Sequence, residues 1–153
     1  MTLEHIIVDG YNILYQWAAL KAARMCSLAA GRQALIHLLT QLHDCRGGKM
    51  TLVFDGRSVL RGGDGVQTNI RILYTKEGET ADAVIERMVG QSTQPENFLV
   101  ATDDYAEQSV IQALGGHTIS AEAFYAMAKS ELVNLEQTLE QISLKNGGSQ
   151  NYL

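Results

Sequence analysis

The sequence predicts an α/β protein with three layers, in which helices cover both faces of a central parallel sheet. Two observations predict this class. Short apolar runs alternate with longer stretches of helical periodicity, which is the pattern of parallel α/β folds. The apolar runs are also continuous instead of alternating with polar residues, as in strands that are covered on both faces. At 153 residues, the chain is long enough for one domain with a single core.

Five apolar runs predict the strands, and these cover residues 4–8, 50–54, 68–74, 97–101 and 117–119. Helices are predicted from the turn after residue 10 to about 21, and over 28–44, 81–88, 105–114 and 121–142. Ser27, Thr80 and Ser120 precede three of these helices and are the predicted N-caps. We expect a single domain over residues 1–145. The polar, glycine-rich residues 146–153 are expected to form a flexible tail.

The composition indicates a globular protein of the cytoplasm. Hydrophobic residues make up 46% of the chain, and no apolar run approaches the length of a membrane span. The first residues lack a basic segment followed by an apolar one, so no secretory signal is expected. Cys26 and Cys45 are isolated and are interpreted as reduced thiols, not as a disulfide or a zinc site.

The net charge of −5 is unevenly distributed. Residues 46–76 carry six basic and two acidic side chains, whereas residues 77–145 carry twelve acidic and three basic ones. This distribution excludes a basic surface over the whole protein that would coat nucleic acid. Within the basic segment, the candidates for contacting RNA phosphates are Arg57, Arg61, Arg71 and Lys76. A solvated loop with scattered charges is an equally good interpretation of these four residues.

Acidic residues follow four of the predicted strands. Asp9, Asp55 and the pair Asp103 and Asp104 end three of them, and the strand over 68–74 leads into Glu79 and Asp82. Since working sites in parallel sheets lie beyond the carboxyl ends of the strands, we expect these acids to meet at one edge. Each acid taken alone has an ordinary structural interpretation as a turn residue, a helix cap or a first-turn acid.

Several carboxylates at one edge repel one another and therefore require a counter-charge. Oxygen ligands without a convergent set of cysteine and histidine residues favour Mg²⁺ or Mn²⁺ over zinc. Such an ion offsets charge on a phosphate oxygen and activates water, so the predicted reaction class is phosphodiester hydrolysis.

Four segments resemble the NYN-domain proteins of the YacP type, within the PIN-like nuclease superfamily. The first two are Val8-Asp9-Gly10-Tyr11-Asn12 and Val53-Phe54-Asp55. The third runs from Tyr74 through Thr75-Lys76-Glu77-Gly78-Glu79-Thr80-Ala81 to Asp82, and the fourth runs from Thr102 through Asp103-Asp104-Tyr105-Ala106-Glu107 to Gln108. The match spans about residues 4–128, and the third segment is the most specific.

The resemblance implies a metal-dependent endoribonuclease with a five-stranded parallel sheet of the Rossmann-like, PIN-like type, acting in mRNA decay or RNA processing. It assigns Asp9, Asp82 and Asp104 as metal ligands and catalytic acids. It assigns Asn12, Asp55, Glu79 and Asp103 as supporting residues, Asp103 being an extra acid where relatives more often have serine.

Alternatives to this function remain open at the level of sequence. A non-catalytic RNA- or ribosome-binding module could keep the same fold, and the intact acids favour the nuclease over it. A phosphotransfer receiver or a phosphatase would also place aspartates at strand ends, but a receiver should have a lysine after its last strand, and residues 117–120 contain none. RNA is the expected partner, with the ribosome as a further one. A heptad-like seam in the last helix leaves open a monomer or a weak homodimer.

Overall fold

The computed structural model describes residues 4–56 and 68–133 of the chain. Five strands form one sheet in the order β3-β2-β1-β4-β5, and every neighbouring pair is parallel. The strands are β1 (His5–Asp9), β2 (Lys49–Phe54), β3 (Arg71–Tyr74), β4 (Phe98–Ala101) and β5 (His117–Ile119). The predicted parallel α/β architecture is therefore confirmed.

The described residues contain six α-helices that connect or follow the strands. These are α1 (Gly10–Gln16), α2 (Lys21–Cys26), α3 (Leu28–Arg46), α4 (Ala81–Gly90), α5 (Tyr105–Ala113) and α6 (121–133). Short 3-10 turns precede α2 and β4. All three predicted N-caps are confirmed, since the hydroxyls of Ser27, Thr80 and Ser120 accept hydrogen bonds from backbone N–H groups three residues later.

The sheet separates two apolar cores. On one face, α1, α3 and α6 pack over Ile6 and Val8 of β1. On the other face, α4 and α5 pack over Ile7 of β1 and Val100 of β4. Side chains along a strand point alternately to opposite faces. Asp9 therefore points to the face of Ile7, which α4 and α5 cover.

Two predicted elements are shorter than expected, for local reasons. The helix predicted as far as residue 21 stops at Gln16, because Trp17 is extended and its indole N–H donates to the Ala121 carbonyl at 2.9 Å. The strand predicted from Thr68 begins only at Arg71. The hydroxyl of Thr68 accepts from the N–H of Ile70, and such local bonds compete with strand pairing.

Glycine is required at two positions for close packing. A Cβ on Gly10 would lie 2.4 Å from the Phe54 ring and 2.8 Å from the Val53 carbonyl oxygen. A Cβ on Gly56 would lie 1.9 Å from the Thr75 carbonyl oxygen. Gly10 begins α1 and allows this helix to pack closely against β2.

Several predictions fall outside the described residues. Arg57 and Arg61 lie in 57–67, and the predicted end of the last helix and the tail 146–153 lie in 134–153. Cys26 and Cys45 are both free. Within the described ranges, no helix is both long and apolar enough to cross a membrane.

Candidate metal centre

Asp9 ends the central strand at the carboxyl edge of the sheet. From β1 the chain continues to β2 and β3 on one side of the sheet, whereas the neighbouring strand β4 continues to β5 on the other side. Asp9 therefore lies where the strand order reverses. The side chain is buried, with 8% of its surface exposed. Its Oδ2 accepts a hydrogen bond of 3.1 Å from the Thr102 hydroxyl, which follows β4. This bond fixes the orientation of the carboxylate.

Asp82 and Glu107 approach Asp9 from the two helices that cover this face. Asp82 lies in the first turn of α4, and Glu107 lies in the first turn of α5. One carboxylate oxygen from each of the three acids lies within 4.8 Å of the other two. Among the described residues, these three acids are the group with the spacing of a metal site.

Glu107 has the most unusual environment of the three. It is 1% exposed, and neither of its carboxylate oxygens has a hydrogen-bond partner within the described residues when all three acids are ionised. Burial, followed by the negative charge of Asp9, raises the pKa of Glu107 to about 10. Burial also raises the pKa of Asp9, and the charge of Asp82 adds to the effect. Without a cation, a proton must therefore be held within the group.

The donor set fits a divalent cation. Three carboxylate oxygens from three separate elements converge, and hard oxygen ligands suit Mg²⁺ or Mn²⁺. The two unpartnered oxygens of Glu107 would gain a partner in such an ion. Burial is the main cause of both raised pKa values, and a cation would offset the repulsion between the acids that adds to them.

Asp104 was predicted as a third ligand, but it does not belong to this group of three. Its Oδ1 accepts from the N–H of Glu107 at 3.2 Å and caps α5. Its charge still contributes to the raised pKa of Asp9, so it lies close to the centre. The assignment of Asp104 as a metal ligand remains a prediction.

Asn12 and Asp103 link the centre to its surroundings. Asn12 Oδ1 accepts from the N–H of Asp103 at 2.8 Å, which holds α1 against the turn after β4. Asp103 Oδ1 accepts from the N–H of Ala121 at 2.7 Å, at the start of α6. Both residues therefore fix the turn that carries Thr102 and Asp104.

The remaining predicted acids lie at the same edge, outside the three-acid group. Asp55 follows β2 and is half-buried. Glu79 pairs with Arg87 at 2.9 Å and accepts from the N–H of Lys76 at 3.3 Å. These bonds lower the pKa of Glu79. Glu79 therefore supports the loop before α4.

The two described basic candidates lie at different places. Lys76 is exposed just beyond β3, at the edge where Asp9 lies. Arg71 begins β3 and pairs with Thr51 of β2. Thr51 in turn pairs with Ile7, which lies two residues before Asp9 in β1. The charge of Arg71 contributes to the lowered pKa of His5, after burial and the charge of Lys49. Arg71 therefore lies toward the opposite edge.

Sequence reasoning did not select Glu107, although a signal for it was present. Glu107 and Ile111 are one helical turn apart and share the face of α5 that packs on the sheet. Ile111 is fully buried. An acid on that face at the start of the helix must be buried near the strand ends, where Asp9 was already predicted.

The group of acids lies at the carboxyl edge of a parallel sheet, where the strand order reverses. The protein therefore belongs to the class of parallel α/β proteins with a candidate cation site at this edge. Within that class, the chain belongs to the YacP-like NYN domain family, which it matches over residues 6–153.

Relatives of known sequence or structure agree with this assignment. The chain is 30% identical over 144 residues to the uncharacterized protein YacP of Bacillus subtilis, covering 92% of this chain and 84% of the relative. The crystal structure of Rae1 (YacP) from Bacillus subtilis superposes with a TM-score of 0.74 at 28% identity, covering 95% of this chain and 84% of the other. A mutant form of Rae1 gives a TM-score of 0.77 at 27% identity, covering 97% and 86%.

Proposed function

We propose that the protein is an endoribonuclease that hydrolyses RNA phosphodiester bonds with Mg²⁺ or Mn²⁺, in the cytoplasm, in mRNA decay or RNA processing. The observation that carries the proposal is the group of Asp9, Asp82 and Glu107, whose carboxylate oxygens lie within 4.8 Å of one another. The domain family belongs to a nuclease-like superfamily, which favours the same reaction class.

Each residue has a proposed part in this reaction. Asp9, Asp82 and Glu107 hold the ion, and Asp104 adds negative charge beside it. The bound ion would offset charge on a phosphate oxygen and activate the attacking water. Thr102 keeps Asp9 in position through its hydroxyl. Asn12 fixes the turn that carries Thr102 and Asp104.

RNA would reach the centre over the carboxyl edge of the sheet. Tyr105 follows Asp104 and is 81% exposed, so its ring is available to stack on a base. Lys76 is exposed at the same edge and could contact a phosphate. Arg57 and Arg61 remain proposed phosphate contacts, and the placement of Arg71 makes it the weakest of the four candidates.

The test is cleavage of single-stranded and structured RNAs with Mn²⁺, with Mg²⁺ or with EDTA. We expect cleavage with either metal and none with EDTA. Asp9→Asn and Asp82→Asn should each abolish cleavage because each removes a charged ligand. Glu86→Gln makes the same kind of charge change on α4 outside the group and should leave cleavage intact. Metal-independent cleavage, or full activity of Asp9→Asn, would refute the proposal.

A further inference from the structure

The side chain of Gln108, the residue after Glu107 in α5, bonds to the turn after β4. Its Nε2 donates a hydrogen bond of 2.7 Å to the main-chain carbonyl oxygen of Thr102. Gln108 is half-buried and Thr102 is fully buried. A buried carbonyl group without a partner is costly, so this bond belongs to the packed structure of the protein and is not an incidental surface contact.

Thr102 is the residue that orients Asp9, and each of its polar groups has a partner. Its hydroxyl donates to Asp9 Oδ2 at 3.1 Å and accepts from the N–H of Asp104 at 3.1 Å. Its own N–H donates to the carbonyl of Ile119 at 3.1 Å. Its carbonyl oxygen accepts from Gln108. The direction of the hydroxyl toward Asp9 therefore depends on where these partners hold the whole residue.

The bond from Gln108 joins two ligands of the candidate metal centre. Glu107 lies beside Gln108 in α5, and Thr102 orients the carboxylate of Asp9. Oxygens of Glu107 and Asp9 lie within 4.8 Å of each other. If α5 moved relative to the end of β4, this separation would change. Ligand positions in a metal site tolerate only small displacements, so a bond that fixes them should affect metal affinity.

A second glutamine of α5 makes the same kind of bond away from the centre. Gln112 lies one helical turn after Gln108. Its Nε2 donates to the hydroxyl of Thr118 at 2.8 Å. Gln112 is exposed, and Thr118 belongs to β5, which carries none of the three acids. Gln112 therefore ties α5 to the sheet without contacting a residue that orients a ligand.

We propose that Gln108 is a positioning residue of the cation site, which sets Glu107 against Asp9 through the carbonyl group of Thr102. The proposal rests on the proposed function, since it takes Asp9, Asp82 and Glu107 as ligands of the ion. Gln108 acts through Thr102 and does not contact the ion or the RNA. Its effect should therefore be measured as affinity for the metal.

The first test is calorimetric titration with Mn²⁺ in the absence of RNA. Gln108→Met keeps the length and the unbranched shape of the side chain but removes the donor. We expect its dissociation constant for Mn²⁺ to rise about ten-fold, the lower end of the loss caused by removing an outer hydrogen bond to a metal site. Gln112→Met is the matched control and should keep the wild-type value. Thermal melts in EDTA check that both variants are folded at the temperature of the titration.

A double variant tests the route through Thr102. Thr102→Val removes the hydroxyl that orients Asp9 but keeps the carbonyl group that Gln108 contacts. Two substitutions that act through one path have effects that do not add. Adding Gln108→Met to Thr102→Val should therefore weaken Mn²⁺ binding by much less than ten-fold. A further full ten-fold loss would overturn the proposed route.

The outcomes distinguish failure of this inference from failure of the proposed function. Unchanged Mn²⁺ affinity in Gln108→Met, or an equal loss in Gln112→Met, would overturn the positioning role and leave the three acids as ligands. A wild-type protein that binds no Mn²⁺ would refute both proposals. Selective loss of affinity in Gln108→Met, in a protein that cleaves no RNA with any metal, would support the positioning role and refute the nuclease.

Discussion

Glu107 makes the stability of the candidate metal centre depend on pH. Its pKa is raised from 4.5 to about 10, so the metal-free folded protein holds a proton that the unfolded chain releases between these values. The free energy of unfolding should therefore fall as pH rises through this window. The raised pKa of Asp9 acts in the same direction. Glu107→Gln carries no ionisable group and can donate to Asp9, so its stability should depend less on pH.

The measurement is a series of thermal melts in EDTA from about pH 5 to about pH 9 for the wild type and Glu107→Gln. As pH rises, the melting temperature of Glu107→Gln should increase relative to that of the wild type. Adding Mn²⁺ should stabilise the wild type most at high pH, where the ligands are deprotonated. Parallel pH curves for the two proteins would contradict the buried, protonated state of Glu107.

Asp104 has a structural role that can be separated from its predicted catalytic one. Asparagine caps helices about as well as aspartate, whereas alanine does not cap. Asp104→Asn should therefore keep the melting temperature but abolish RNA cleavage, because it loses the negative charge beside the proposed ion site. Asp104→Ala should lose about 1 kcal/mol of stability as well. An active, stable Asp104→Asn would limit Asp104 to capping α5.

At the scale of elements, the contact between α1 and β2 positions Asp9. Gly10 follows Asp9 directly, and a Cβ there would lie 2.4 Å from the Phe54 ring. Gly10→Ala must push α1 away from the sheet, and overpacking of this kind costs about 1–3 kcal/mol. We expect chemical denaturation to show this loss of stability. A titration with Mn²⁺ should also show weaker binding, because Asp9 moves with the helix.

A matched glycine variant serves as the control for Gly10→Ala. Gly90 ends α4, and a Cβ there would come no closer than 3.7 Å to Leu114. Gly90→Ala should leave stability unchanged or raise it by about 0.4–1 kcal/mol, since alanine restricts the unfolded chain. Equal effects of the two substitutions would mean that the contact with Phe54 does not limit the fold.

At the scale of the whole molecule, the charge distribution limits RNA affinity. The chain has a net charge of −5, and its excess of basic residues is confined to residues 46–76. The protein can neutralise few phosphates, so it should bind generic RNA weakly. The logarithm of the binding constant should fall only slightly as the logarithm of the salt concentration rises.

Fluorescence anisotropy with a labelled single-stranded RNA across a salt series measures that slope. The titration is run in EDTA, where no cleavage is expected. Tight binding with a steep slope would contradict the account. Weak binding would support the proposal that a larger assembly, such as the ribosome, presents the RNA to the protein.

Much of the architecture could be predicted because its signals are local. Continuous apolar runs placed β1 and β2, and hydroxyl residues before the helices placed the caps at Ser27 and Thr80. The rule for parallel sheets then predicted that Asp9 and Asp82 meet. That part of the prediction depended on topology and not on side-chain packing.

The rest depends on contacts between distant parts of the chain. The helix break at Trp17 follows from a bond to Ala121, which is 104 residues away. Glu107 enters the centre because α5 packs beside α4 over the same face of the sheet. An acid in the first turn of a helix is ordinarily interpreted as complementing the helix dipole, so its sequence position alone did not distinguish it.

Anomalous diffraction from crystals grown with Mn²⁺ tests directly whether Asp9, Asp82 and Glu107 hold a cation. We expect one anomalous peak among Asp9, Asp82 and Glu107, whose oxygens already lie within 4.8 Å of one another. The peak should be lost in Glu107→Gln crystals grown under the same conditions. A wild-type crystal with no peak there, or with the ion bound away from these three carboxylates, would contradict the proposed cation site.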